Sequence, residues 1–206
     1  MATEGPSLAG SLTVYGDKAS FLVDTGAIST SPFAPLGGDL ATFTHENLTF
    51  SSVAPTTLVL NGKDWTTRLP GTELAVNGIE HLDVDIANPV NYFGFDFVEP
   101  EFDPLVKSSF VDSIFEVTLF SAGANIGSFQ FNAPNDAAAF VGVSSDRTFD
   151  GVEIREIVGK IENEFYGAFY TGVAQSVPEP SAVLGLLAFG AAGSLLKRKA
   201  ANSQDS

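Results

Sequence analysis

The sequence predicts an all-β fold, an antiparallel β-sandwich or jelly roll followed by a proline linker and a C-terminal apolar helix. Three observations carry the prediction. Short runs of alternating apolar and polar residues, each closed by Gly, Pro, Asn or Asp, recur through most of the chain and read as half-buried antiparallel strands. The composition, with 18 Phe, 20 Gly and 11 Pro against one Met and one Trp, favours strands and turns over long helices. No internal repeat and no convincing amphipathic helix interrupts the body.

In chain order, the expected strands are SLTVYG (11–16), ASFLV (19–23), ENLTFSS (46–52), TTLVLNG (56–62) and GIEHLDVDI (78–86). VNYFGFDFV (90–98) is the clearest, because alternation puts Phe93, Phe95 and Phe97 on one face and Tyr92, Gly94, Asp96 and Val98 on the other. Residues 102–113 are expected to form a short helical or irregular connection. SIFEVTLF (113–120), NIGSFQF (125–131), AAAFVGV (137–143), GVEIREI (151–157) and FYGAFYT (165–171) complete the set, at a spacing that suits two packed sheets.

At 206 residues the chain accommodates one well-buried domain, expected over 1–172, with a tail. The net charge of -15, from 25 Asp and Glu against 10 Lys and Arg, repels phosphate backbones and argues against nucleic acid as a partner. The absence of Cys excludes disulfides, thiol catalysis and Cys-ligated metal sites.

Beyond the body, residues 173–181 read as an extended linker, since two prolines in three residues forbid a helix interior. The stretch AVLGLLAFGAAGSLL (182–196) carries no charge, and Lys197, Arg198 and Lys199 follow at once. A helix of that length spans only ~23 Å of a ~30 Å hydrocarbon core, and snorkelling of the basic residues extends its reach. The basic end predicts a cytoplasmic C-terminus, with the body across the membrane. Residues 200–206 read as a disordered tail.

Val177-Pro178-Glu179-Pro180, then a short apolar helix, then a basic stop at 197–199 resembles the PEP-CTERM sorting signal of bacterial exported proteins, usually found with exopolysaccharide systems. The resemblance covers about the last thirty residues. It implies that Val177, Pro178, Glu179 and Pro180 are recognised by an exosortase-type membrane processing enzyme. It further implies that 182–196 is a transient membrane anchor, that Lys197, Arg198 and Lys199 hold it, and that the tail is cleaved. The implied location is membrane-anchored first, then cell surface or extracellular. More loosely, PNDAAAFVGVSSDRTFDGVEIRE and IENEFYGAFYTG resemble β-rich domains found ahead of such tails. Such proteins carry a secretion signal, which MATEGPSLAGSLTVYGDKAS lacks, so a leader is expected upstream of Met1.

Among candidate sites, Asp24 in FLVDTGAIST resembles one loop of an aspartic protease, which needs two carboxylates sharing a proton. The chain has a single Asp-Thr-Gly, so only a dimer could supply the second, and Pro32 and Pro35 break the strand that should follow. The expectation is a strand ending in a turn in which Asp24 caps its own backbone and Gly26 takes a positive φ. Asp83, Asp85, Asp96, Glu99, Glu101 and Asp103 form an oxygen-rich candidate for Ca²⁺, without EF-hand spacing, set against a solvated acidic loop. Glu162, Asn163 and Glu164 are a weaker case. His45 and His81, the only histidines, sit on different segments, and any zinc site or Ser-His-Asp triad would use one of them. Trp65, Tyr92, Tyr166 and Tyr170 are possible stacking platforms for a sugar ring. The expected function is that of an exported, non-catalytic surface or matrix protein associated with exopolysaccharide. The alternatives are a hydrolase or protease using Asp24, or a Ca²⁺-dependent carbohydrate-binding module.

Overall fold

The computed structural model describes residues 10–61, 69–100, 102–103, 108–109, 112–159 and 164–174. The chain divides into two units, Met1–Ala174 and Gln175–Ser206, and the second lies outside the described residues, as do the predicted sorting motif, apolar helix and basic stop.

The first unit is an all-β antiparallel sandwich built around two long bent strands, β8 (Leu82–Val98) and β13 (Ala139–Val158). Inward-facing residues of β8 are Leu82, Val84 and Ile86 before the bend and Phe93, Phe95 and Phe97 after it, so the parity switches between them. Pairing with β13 slips at the same place, from Asp85 opposite Gly151 to Val90 opposite Phe149. Pro89 sits in this bend, where it costs no central ladder bond. Each long strand therefore serves both sheets.

One sheet runs β4 (Thr42–His45), β5 (Leu48–Ser52), the first half of β8, the second half of β13, β11 (Ile114–Ser121) and β12 (Ala124–Phe131). The other runs β1 (Leu12–Tyr15), the first half of β13, the second half of β8, β14 (Phe165–Gly172), β7 (Glu73–Asn77), β6 (Thr57–Asn61) and β3 (Leu36–Leu40), with β2 (Ile28–Ser29) beside β14. Aromatic rings interlock between them. Phe50 of the first sheet stands 4.7 Å from Phe169 of the second, and Phe115 stands 5.3 Å from Phe97. All four are fully buried, each contributing about 1.5–3 kcal/mol by leaving water. The halves of β8 thus face one another across the core.

Most predicted strands are present, and the differences have local causes. Residues 19–23 lie in helix α1 (Lys18–Thr25). Asp17 caps its N-terminus by accepting the Ser20 backbone N–H at 2.8 Å, and Gly26, at φ 63, ends it in the left-handed region. These start and stop signals outweigh the β character of Phe-Leu-Val. Asp24 accordingly stands exposed in the last helical turn, not in the expected strand-end turn. Gly26 does supply the expected positive φ, while Thr25 supplies the local bonds, donating to the Phe21 carbonyl at 2.6 Å and accepting from Ala27 N–H at 3.1 Å. The predicted pairs 78–86 with 90–98 and 137–143 with 151–157 are each one bent strand, the first beginning only at Leu82. Within 102–113, the two-residue strands β9 (Phe102–Asp103) and β10 (Ser108–Ser109) pair with each other. β2, β3, β4 and β7 were not expected: β3 is glycine-rich, and the near-complete burial of β7 removes its alternation.

Candidate functional site

The outer face of the second sheet carries α1 and a cleft of about 710 Å³. Phe21 of α1 packs against Phe140 and Tyr15, with ring centroids 5.2 and 5.4 Å apart, and pins the helix to the sheet. Phe140 lies across two glycines: a Cβ on Gly94 or Gly142 would fall 2.8 or 2.7 Å from its ring, so a side chain at either position would displace it. Tyr15, Lys18, Leu69, Asp96, Asn132 and Phe140 line the opening.

Asp96 is the polar centre. Its outward position on β8 places it under α1, where it is buried, and Lys18 Nζ reaches its Oδ1 at 2.6 Å. The Tyr170 hydroxyl donates to Oδ2 at 3.0 Å and accepts from Lys18 Nζ at 3.1 Å. Lys18 also stands 5.3 Å from the Tyr170 ring centroid. Burial is the largest single effect and disfavours the Lys18 charge, but the hydrogen bonds to Asp96 and Tyr170 and their charges together outweigh it and raise the lysine above its ordinary value. Burial likewise raises the Tyr170 hydroxyl. The arrangement is a neutralised ion pair flanked by aromatic surface. Within it the lysine is charged and bonded, not poised as a nucleophile.

A second cleft, of about 680 Å³, lies on the outer face of the first sheet and includes Asp83, Asp85, Asp150 and Glu153. Arg155 bridges Asp83 and Glu153 at 2.5 and 3.2 Å, and Asp150 accepts the Ala122 N–H at 3.0 Å.

The predicted acidic set is not gathered in one place. Asp83 and Asp85 face outward on one sheet and Asp96 on the other, with sheets about 10 Å apart between them. Glu99 points inward and accepts the Ser113 backbone N–H. Glu101 and the side chain of Asp103 lie outside the described residues, as do Trp65, Glu162 and Asn163. Among the described residues no group of three acidic or histidine side chains is placed to hold a metal ion.

The histidines are separate. His45 Nε2 lies 2.9 Å from the Ser31 carbonyl and 3.2 Å from Ser31 Oγ, and that hydroxyl donates to Glu46 at 2.6 Å. A nitrogen donating to the carbonyl has no lone pair for the hydroxyl proton, and the carboxylate engages the serine instead of orienting the ring. The cluster clamps a loop to the β4–β5 hairpin. Tyr166 is fully buried and Tyr170 nearly so, which removes both as stacking platforms, whereas Tyr92 is partly exposed. Sequence reasoning passed over Tyr15 and Lys18. The available signal was the Asp17 cap, which places the residue after it on the first turn of a helix.

Comparison with known proteins decides the nature of the C-terminal segment. The chain carries a PEP-CTERM protein-sorting motif at residues 176–199. The PEP-CTERM match spans the four-residue motif, the apolar stretch and the basic stop. It implies handling by an exosortase-type system. No curated protein matches the sequence. Among solved structures, the body is similar to the C-terminal family 22 carbohydrate binding module of Clostridium thermocellum Xyn10B, at 13% identity and a TM-score of 0.41, covering 64% of this chain and 89% of that one. It is also similar to a family 29 carbohydrate binding module, at 12% identity and a TM-score of 0.33, covering 83% and 98%. Likenesses this distant transfer no ligand.

Among the described residues no helix is long and apolar enough to cross a membrane.

Proposed function

We propose that this is an exported bacterial surface or extracellular-matrix protein, non-catalytic, delivered by its C-terminal sorting signal and associated with exopolysaccharide through the cleft beside α1. The PEP-CTERM motif at 176–199 is the observation that carries the reading. In this reading residues 1–172 are the working domain and 173–181 present Val177, Pro178, Glu179 and Pro180 to the processing enzyme. Residues 182–199 engage the membrane until cleavage, after which the body is released to the surface. The Lys18–Asp96 pair and the partly exposed Tyr15 ring support association with a hydroxyl-rich polymer, since they offer bonding groups and ring area without a free nucleophile.

Intact mass of the protein recovered from outside the native host tests delivery. The expected product lacks its last twenty-odd residues, on the order of the length of such a signal, and Glu179→Ala leaves the tail in place. A mature chain still ending at Ser206 would sink the reading. Retardation of the protein in gels containing the host polysaccharide, reduced by Tyr15→Ala, tests the association separately.

A further inference from the structure

Four glutamates continue inward-facing series at or just beyond strand ends. Glu80, just before β8, leads into Leu82 and Val84, and Phe95 and Phe97 lead to Glu99, just past the strand. Near the end of β13 the series is Val152, Ile154, Glu156, and Glu164, just before β14, leads into Tyr166. Because β8 folds back on itself, these ends meet at one end of the sandwich. Glu80, Glu99 and Glu164 are buried there and Glu156 is half-buried.

Glu80 is the key group. It is 0% exposed, and no side chain among the described residues donates a well-formed hydrogen bond to its carboxyl oxygens, although the Glu164 backbone N–H lies near them. Its neighbours are acidic: its own backbone N–H points to Glu156 Oε2 at 3.3 Å, and the Glu164 carboxyl stands within hydrogen-bonding reach. The fully buried Tyr166 hydroxyl, also without a partner among the described residues, lies in the field of Glu80, Glu164 and Glu156. Two carboxyl groups can bond each other only through a proton.

We propose that Glu80 and Glu164 form a carboxyl–carboxylate pair joined by one shared proton, closing the end of the core with a bond that is lost when that proton leaves. Among the described residues, the groups facing the pair are Glu156, Arg155 and Asp83 from β13 and the start of β8, His81 beside Glu80, Glu99 just past β8, and Tyr166 from β14. Burial is the first cause holding Glu80 well above the ordinary glutamate range, and the charge of Glu164 is the second. A carboxyl raised on folding contributes stability that is complete below its unfolded value and lost as pH rises through its folded value. The protein should therefore be tightest in mild acid.

Thermal unfolding of the full chain and of Glu80→Gln, from about pH 5 to about pH 8, tests the pair. Gln preserves size and supplies permanently the donor that the proton supplies. Because the net negative charge weakens both proteins alike as pH rises, the difference between them is the readout. The expected result is a gap in Tm that opens with pH by several degrees in favour of the variant. Parallel curves overturn the proposal. If the variant does not fold, the infrared band of a protonated carboxyl in the wild-type protein at neutral pH is expected instead, and its absence overturns the proposal. A rise in wild-type Tm with Ca²⁺ alone, lost in Glu80→Gln, also overturns it, by assigning the carboxylates to a cation.

Discussion

Asp96 and Glu80 are two buried carboxyl groups associated with the same bent strand, and they meet burial in opposite ways. Asp96 points outward beneath α1, where Lys18 and the Tyr170 hydroxyl satisfy both of its oxygens. Glu80 points inward at the end of the core, where its neighbours are Glu156 and Glu164. The two buried carboxyls thus differ in the sign of the charge nearest to them. The two regions should also respond to pH over different ranges. Lys18, raised on folding, contributes stability that is complete below its unfolded value and is lost only as pH rises through strongly alkaline values. Glu80 loses its contribution as pH rises through its own raised value.

The most disruptive way to break the comparison is Phe140→Ala, which removes the ring spanning Gly94, Gly142, Phe21 and Tyr170. Urea unfolding should show a loss of about 3–5 kcal/mol, as for a buried aromatic truncated to alanine. The pH response at Glu80 should survive in this variant; if it vanished as well, the two regions would not be independent. Lys18→Met is milder, because it leaves Asp96 buried with only the tyrosine as donor. A cost of about 1–3 kcal/mol at neutral pH is expected, that of under-satisfying a buried polar group. An unchanged unfolding midpoint would mean that solvent replaces the lysine.

The smallest effect is expected at Asp24. It is exposed on the final turn of α1, so Asp24→Asn should change stability by less than about 0.5 kcal/mol. Neither protein should cleave unfolded casein in mild acid. A casein-cleaving dimer inactivated by this substitution would restore the protease reading and turn attention from both buried carboxyls to the helix end.

Much of the fold was legible because strand alternation is a local property. The inward Phe93, Phe95 and Phe97 and the strands of the C-terminal half could be read residue by residue. Helix α1 was missed although its cap and its glycine stop were both visible, since three consecutive apolar residues were weighed above the flanking signals. The acidic residues were harder. Asp83, Asp85 and Asp96 are near in sequence yet end on opposite outer faces, while Glu80, Glu156 and Glu164 are distant in sequence and meet. Each of the latter continues a period-two inward series, so its burial was readable. Its company was not.

What the sequence determined by itself was local or linear: the β class, the faces of individual strands, and the sorting motif at 176–199, which is recognised as a string of residues. Tertiary structure alone decided which charges became neighbours. The bend of β8 at Pro89 sends one half of the strand into each sheet, and that single change of direction brings Glu80 to Glu164 while parting Asp83 from Asp96. Pairing between strands far apart in the chain depends on how whole sheets close on a shared core, and no short window of residues encodes that.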